Sequence, residues 1–198
     1  MASSTSSPGP VFVVTGQSGA GKGTLIKRLL AAFPQLELAV SATTRAQRPG
    51  EVDGVHYYFI SDDEFARRLA DGEFLEYHAF PWGQRSGTLF SEIERIRADG
   101  RVCVLELETE GALNVADRVP GAVTVFITAP IPELERRLRD RATESAGEIE
   151  ERLRVAREQF EVADRFDYLI ENDDLERATE ELEGIVRREL DGAATMRS

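Results

Sequence analysis

Cysteine is nearly absent from this chain of 198 residues: Cys103 stands alone in an apolar run, so no disulfide can form within the chain. A lone thiol in that setting reads as a buried, inert side chain, which fits a reducing compartment, and the expected location is the cytoplasm. Histidine is almost as scarce, with only His56 and His78, which leaves little material for acid–base relays. Positive charge is the minority sign, and the net charge of -12 argues against nucleic acid or an anionic membrane as partner. No apolar run approaches the length of a membrane span. Residues 1–9 lack both the basic start and the apolar core of a signal peptide and read as a disordered tail. Residues 191–198 are expected to fray.

What is present begins with Val11-Phe12-Val13-Val14, followed by Gly16-Gln17-Ser18-Gly19-Ala20-Gly21-Lys22-Gly23-Thr24 and then by a helical pattern from Leu25. A strand, a glycine-rich turn, a lysine and a helix form a phosphate-cradling P-loop. The glycines let backbone N–H groups converge on an anion, and the helix N-terminus adds partial positive charge. Gly16, Ser18, Gly19, Ala20, Gly21, Lys22, Gly23 and Thr24 are therefore the candidate ATP-binding residues, with Lys22 reaching the outer phosphates. Gly23 occupies the place where a magnesium-ligating hydroxyl is common, and this Gly-Lys-Gly-Thr form resembles nucleoside-monophosphate kinases. The resemblance implies a Mg²⁺ ion held mostly by nucleotide oxygens and water, consistent with its reluctance to dehydrate. Lys22 and Lys27 are the only lysines, and the remaining cations among the 24 are arginine, the better fork for phosphate oxygens.

Four apolar runs, at 11–15, 102–107, 123–128 and 168–170, read as buried parallel strands, with helices starting near Lys22, Thr109, Pro132 and Asp174. The expected fold class is α/β, a P-loop doubly wound parallel sheet with an inserted mixed lobe and a helical lid. The expected core is 10–39, 101–132 and 165–190, the lobe is 40–100, and the lid is a helical hairpin over 133–164 with a break near Thr143 to Gly147. Within the lobe, Ser61-Asp62-Asp63-Glu64 predicts a capping box opening a helix through Ala70.

The block from Ser41 to Tyr58 is dense in phosphate-binding groups, with Arg45 and Arg48 three residues apart, hydroxyls, and Tyr57. Together with the P-loop it resembles the signature of guanylate kinases, and the likeness extends from about residue 11 to residue 188. The resemblance implies transfer of the γ-phosphoryl group of ATP to GMP, and to dGMP, with Mg²⁺ as cofactor. It implies that Ser41, Arg45, Arg48 and Tyr57 hold the GMP phosphate, and that Glu76, Thr88 and Glu108 meet the guanine. Guanine suits Glu76, because its N1–H and N2 amino group are adjacent donors that one carboxylate accepts together. Glu106 and Glu108, two apart near a strand end, share a face; the resemblance assigns Glu106 to the metal-water side. It also implies that Arg137, Arg141 and Arg152 converge on the migrating phosphoryl group and that Asn172 lies beside the adenine, whereas Arg136, Arg139 and Arg154 read as a solvated face.

One segment departs from the family pattern. Gly83-Gln84-Arg85-Ser86-Gly87-Thr88 carries Ser86 where a phosphate-binding tyrosine is usual, with Arg85 or a bridging water as the expected substitute. Gln17 and Ala142 replace a common proline and glycine. The alternatives left open are a related kinase with another phosphorylated acceptor, and a guanylate-kinase-like module that only binds protein.

Overall fold

The computed structural model describes residues 10–80, 83–140 and 146–195. Its larger sheet has five strands in the order β2-β7-β1-β8-β9, all parallel. These are β1 Val11–Gly16, β2 Leu36–Leu38, β7 Val102–Glu106, β8 Ala122–Thr128 and β9 Tyr168–Glu171. The four expected runs are all there. The three-residue β2 is too short to show a pattern in sequence.

Alternation along the strands divides the core into two layers. Phe12, Val14, Val104, Val125 and Ile127 face helices α1 Lys22–Ala32 and α7 Leu175–Thr195. Val11, Val13, Cys103, Leu105 and Phe126 face α3 Phe90–Ala98 and α4 Thr109–Arg118. Both faces of β1 are covered, so all six of its residues are buried. Each large apolar side chain so buried stabilises the fold by about 1.5–3 kcal/mol. Burial also pushes the Cys103 thiol up to about 12, which keeps it protonated and unreactive.

The second sheet is mixed, with order β4-β3-β6-β5, formed by β3 Ala42–Thr43, β4 Tyr58–Phe59, β5 Phe74–Ala79 and β6 Arg85–Leu89. Its small core is Ala42, Phe65, Phe74 and Leu89, with Phe65 stacked on Phe74 at 4.3 Å. Helix α2 Asp62–Ala70 supplies Phe65 and covers one face, leaving the other face to a cleft. At the start of α2 only half of the capping box forms. Ser61 Oγ accepts the Glu64 N–H at 3.1 Å, but the Glu64 carboxylate turns to Arg67 and Arg68. Pairing to two guanidiniums, with charge on both partners, outweighs a single bond from the cap's backbone N–H.

The lid region contains α5 Ile131–Asp140 and α6 Ala146–Phe160, which pack against each other, followed by a short 3-10 turn at Ala163–Arg165. Arg141 and most of the expected break lie outside the described residues, as do residues 1–9. Within the tail expected to fray, residues 191–195 continue helix α7 as far as Thr195, and residues 196–198 lie outside the described residues. Leu190 packs on the core and Thr195 Oγ1 donates to the Asp191 carbonyl at 3.0 Å. No helix among the described residues is long and apolar enough to cross a membrane.

Candidate active site

The phosphate loop is built by close backbone approach. At Gly16, φ is +138° and a Cβ would lie 1.9 Å from the Ile127 carbonyl oxygen, so no side chain fits where β1 meets β8. Gly21 caps α1 in the left-handed region at φ 92°. Lys22 folds back over the loop, its Nζ donating to the Gly16 carbonyl at 2.8 Å and the Gln17 carbonyl at 3.2 Å.

Gln17 is a central brace of this loop. It is buried; its Oε1 accepts from Thr128 Oγ1 at 2.6 Å and from the Ala129 N–H at 3.1 Å, while its Nε2 donates to the Ala156 carbonyl at 2.9 Å. One amide thus ties the loop to the end of β8 and to α6. Three more contacts bring the lid region to the loop. The Ser18 N–H donates to Gln159 Oε1 at 3.3 Å, Arg152 Nη1 reaches Ser18 Oγ at 3.4 Å, and Arg137 Nη1 donates to the Ala20 carbonyl at 3.2 Å. Arg137 is also held by Glu133 and by the Asn172 carbonyl. Arg136, Arg139 and Arg154 form surface pairs with glutamates one helical turn away.

Asn172 is 2% exposed and donates through Nδ2 to the Ala20 carbonyl at 2.7 Å, which fastens the loop to the end of β9. Its Oδ1 has no partner among the described residues. Capping of α7 falls instead to Asp174, whose Oδ1 accepts the Arg177 N–H at 2.8 Å.

A cavity of about 250 Å³ runs from Lys22 to the open face of the smaller sheet. Ser41, Tyr57, Glu76, Ser86, Glu106 and Glu108 line it. Glu76 is 8% exposed, and its Oε1 accepts the Thr88 N–H at 2.9 Å. Burial raises its pKa, and the Thr88 bond offsets only part of that effect. Gly111 on α4 makes room for it, since a Cβ there would lie 2.7 Å from Glu76 Oε2. Thr88 Oγ1 is buried without a partner among the described residues.

Glu106 ends β7, and Glu108 is the residue capping α4 in extended conformation, so the shared face persists past the strand end. Both are open to solvent in the cleft. Glu106 is nonetheless ringed by protein; that desolvation raises its pKa, Lys22 draws it down, and Glu108 adds to the rise.

Arg45 is clamped. Its Nη1 and Nη2 donate to the two Glu51 oxygens at 3.0 and 2.7 Å, and its guanidinium lies 5.3 Å from the Tyr57 ring centre. Glu51 also accepts the Arg48 N–H at 2.8 Å. The Arg45 bonds, then that backbone bond, hold the Glu51 carboxyl down at about 2. Arg48 itself is exposed on the rim. The expectation that Arg85 reaches into the cleft is corrected. Period-two alternation on β6 turns Arg85 away from the Ser86 face, and its guanidinium binds Asp62 at 2.8 Å and lies over Phe65.

Glu51, Glu92 and Gly111 were not singled out in sequence. Glu92 is 3% exposed and takes the Val40 N–H at 3.1 Å, the Tyr58 hydroxyl at 3.0 Å and Arg95 at 2.8 Å. Its signal was a charge on the apolar side of α3, four residues before the buried Ile96.

A P-loop parallel-sheet core whose lysine shares a cavity with a second, mixed lobe defines a P-loop kinase of small phosphorylated acceptors. Residues 9–189 match the guanylate kinase family. A guanylate kinase of Rubrobacter xylanophilus is 46% identical over 189 residues, covering 93% of this chain and 96% of the relative. One of Synechococcus elongatus is 44% identical over 90% of this chain and 97% of the relative. The crystal structure of guanylate kinase from Anaplasma phagocytophilum superposes with a TM-score of 0.73 at 28% identity, covering 92% of this chain and 87% of that one. The chain belongs to the guanylate kinase family.

Proposed function

We propose that ATP is gripped at residues 16–24 and that its γ-phosphoryl group passes along the cavity to GMP seated on the open lobe face. As a guanylate kinase the chain is an ATP:GMP phosphotransferase, yielding ADP and GDP. The observation that carries the site reading is the single cavity lined by Lys22 at one end and by Tyr57, Glu76 and Ser86 at the other.

Lys22 leaves the Gly16 and Gln17 carbonyls for the ATP phosphates, an exchange of hydrogen bonds within one site. Arg152, Arg137 and Arg141 stabilise charge on the migrating group from the lid side. Arg45, kept in place by Glu51, holds the acceptor phosphate with Arg48, Tyr57 and Ser41. Glu76 and Thr88 meet the guanine, with Glu108 beside them. Asn172 supports the loop on the adenine side. The acceptor oxygen is itself a phosphate oxygen with a second pKa of about 6, so no general base is needed. Catalysis is positioning plus charge neutralisation, and closure of the lid keeps water from intercepting the phosphoryl group.

Among the described residues no cluster of three metal-ligating side chains exists, and Glu76, Glu106 and Glu108 are carboxylates that share the cavity with Lys22. That donor set fits Mg²⁺ carried on nucleotide oxygens and water, with Glu106 reaching it through water. The ion, when bound with ATP, neutralises phosphate charge. dGMP is proposed as a second acceptor. The buried single thiol fits a reducing cytoplasm.

Lys22→Ala tests the polarity of the site. Transfer from ATP should fall by at least about 100-fold, as for loss of a transition-state charge contact, while calorimetry shows GMP binding retained. Retained turnover would contradict the role given to Lys22.

A further inference from the structure

Both histidines of the chain line the cavity, but they are held differently. His56 is exposed, and its Nδ1 accepts the Val52 N–H at 3.0 Å, so it braces its own loop. His78 is half-buried, and its ring nitrogens have no hydrogen-bond partner among the described residues. The edge contact with Phe80, at 4.7 Å and 75°, fixes the ring's attitude without using either nitrogen. The His78 ring also lies close enough to Glu76 to act on that carboxylate electrostatically, and both its nitrogens can serve a ligand in the cavity.

Strand register shows where it would meet a ligand. On β5, Glu76 pairs with Thr88 and His78 pairs with Ser86; Ser86 in turn pairs with Thr43 on β3. Strands β5 and β3 both run antiparallel to β6, so the step from Glu76 to His78 points the same way as the step from Thr43 to Arg45. The step of two residues on β5 covers about 7 Å on one face, while Arg45 lies just past the end of β3, its N–H turned back to Thr43 Oγ1 at 3.2 Å. A nucleotide with its base at Glu76 and Thr88 and its phosphate toward Arg45 therefore passes over the pair His78–Ser86.

The electrostatics of that stretch call for a donor. Glu76, Glu106 and Glu108 line the same cavity, Arg45 already shares its charge with Glu51, and Arg85 is turned to Asp62 on the opposite face. Ser86 offers only a short hydroxyl. We infer that His78 is a binding residue for the acceptor's phosphate monoester, its imidazole N–H donating to a phosphate oxygen above Ser86. This assignment rests on the acceptor site proposed above.

The test is calorimetry and steady-state kinetics on the full chain with GMP and with guanosine, comparing wild type, His78→Ala, His78→Gln and His78→Ala combined with Ser86→Tyr. His78→Ala should weaken GMP binding and raise its KM by about 10- to 100-fold, the range for one hydrogen bond to a charged group. Guanosine affinity should not change. His78→Gln, which keeps an N–H at similar reach, should recover most of the loss. So should Ser86→Tyr in the double variant, which brings a phenol in from the neighbouring strand. Unchanged GMP affinity in His78→Ala would overturn the assignment. Equal losses for GMP and guanosine would do so as well, by placing His78 against the nucleoside or in the lobe's packing. Wild type that fails to bind GMP at all would instead contradict the acceptor site itself.

Discussion

Glu76 shows how much one buried carboxylate can decide. Its environment raises its pKa, so it takes up a proton at a pH where an exposed glutamate, near 4.3, is still ionised. Protonation removes an acceptor from the oxygen pair that would receive the two guanine donors. The KM for GMP should therefore climb as pH falls, starting above the ordinary carboxylate range, while the KM for ATP stays level. Glu76→Gln should leave only the dependence that the substrate phosphate's own titration, near about 6, imposes, and raise the GMP KM at neutral pH by about 10- to 100-fold; pH-dependent kinetics on both proteins check this. Gly111 supplies a second residue-scale test. Gly111→Ala adds a Cβ 2.7 Å from Glu76 Oε2, which displaces the carboxylate. An alanine in a helix gains up to about 1 kcal/mol over glycine, so thermal stability should hardly change while the GMP KM rises at least about 10-fold. A parallel fall in both stability and affinity would point to global damage instead.

At the scale of elements, α3 joins the lobe to the core through Glu92. Burial alone would raise the pKa of this carboxyl, but Arg95, the Val40 N–H and the Tyr58 hydroxyl together bring it below the usual range. Val40 lies where the chain leaves β2 for the lobe, and Arg95 also pairs with Glu37 on β2 at 2.5 Å. Glu92→Ala leaves the partly buried Val40 N–H and Tyr58 hydroxyl without their acceptor and should lower stability by about 1–3 kcal/mol, measured by denaturant unfolding. The upper part of the range for buried pairs is discounted, because Arg95 is well exposed. Most elements were legible in the sequence because their signals are local. The apolar runs of β1, β7 and β8 are buried on both faces, and Ser61 and the glycines of the P-loop sit at positions that only capping or close approach explains. What escaped was set by distant partners. Glu51 became a clamp only when its loop brought it back to Arg45, and Gly111 mattered only once α4 packed on β5. Arg85 and Ser86 look interchangeable in sequence, yet strand alternation sends them to opposite faces. The helical end at Thr195 depended on Leu190 meeting the core, which composition does not reveal.

For the molecule as a whole, an acidic chain binds two polyanions by local placement of a few cations. Lys22 and two described lid arginines gather at the loop, Arg45 is positioned by Glu51, and His78 lines the same cavity on the lobe, where the proposed acceptor would pass. In the proposed site the donor and acceptor ends share one cavity, so the reading assigns direction of transfer to the architecture and specificity to Glu76. A coupled assay of ADP formation across GMP, dGMP, IMP and AMP tests that division most directly. GMP and dGMP should be turned over. AMP should lie at least about 10⁴-fold lower in kcat/KM, because it leaves the buried carboxylate unpaired, and IMP, which lacks one donor, should fall between. ADP formation that does not depend on GMP, or that is as fast with AMP, would contradict the account.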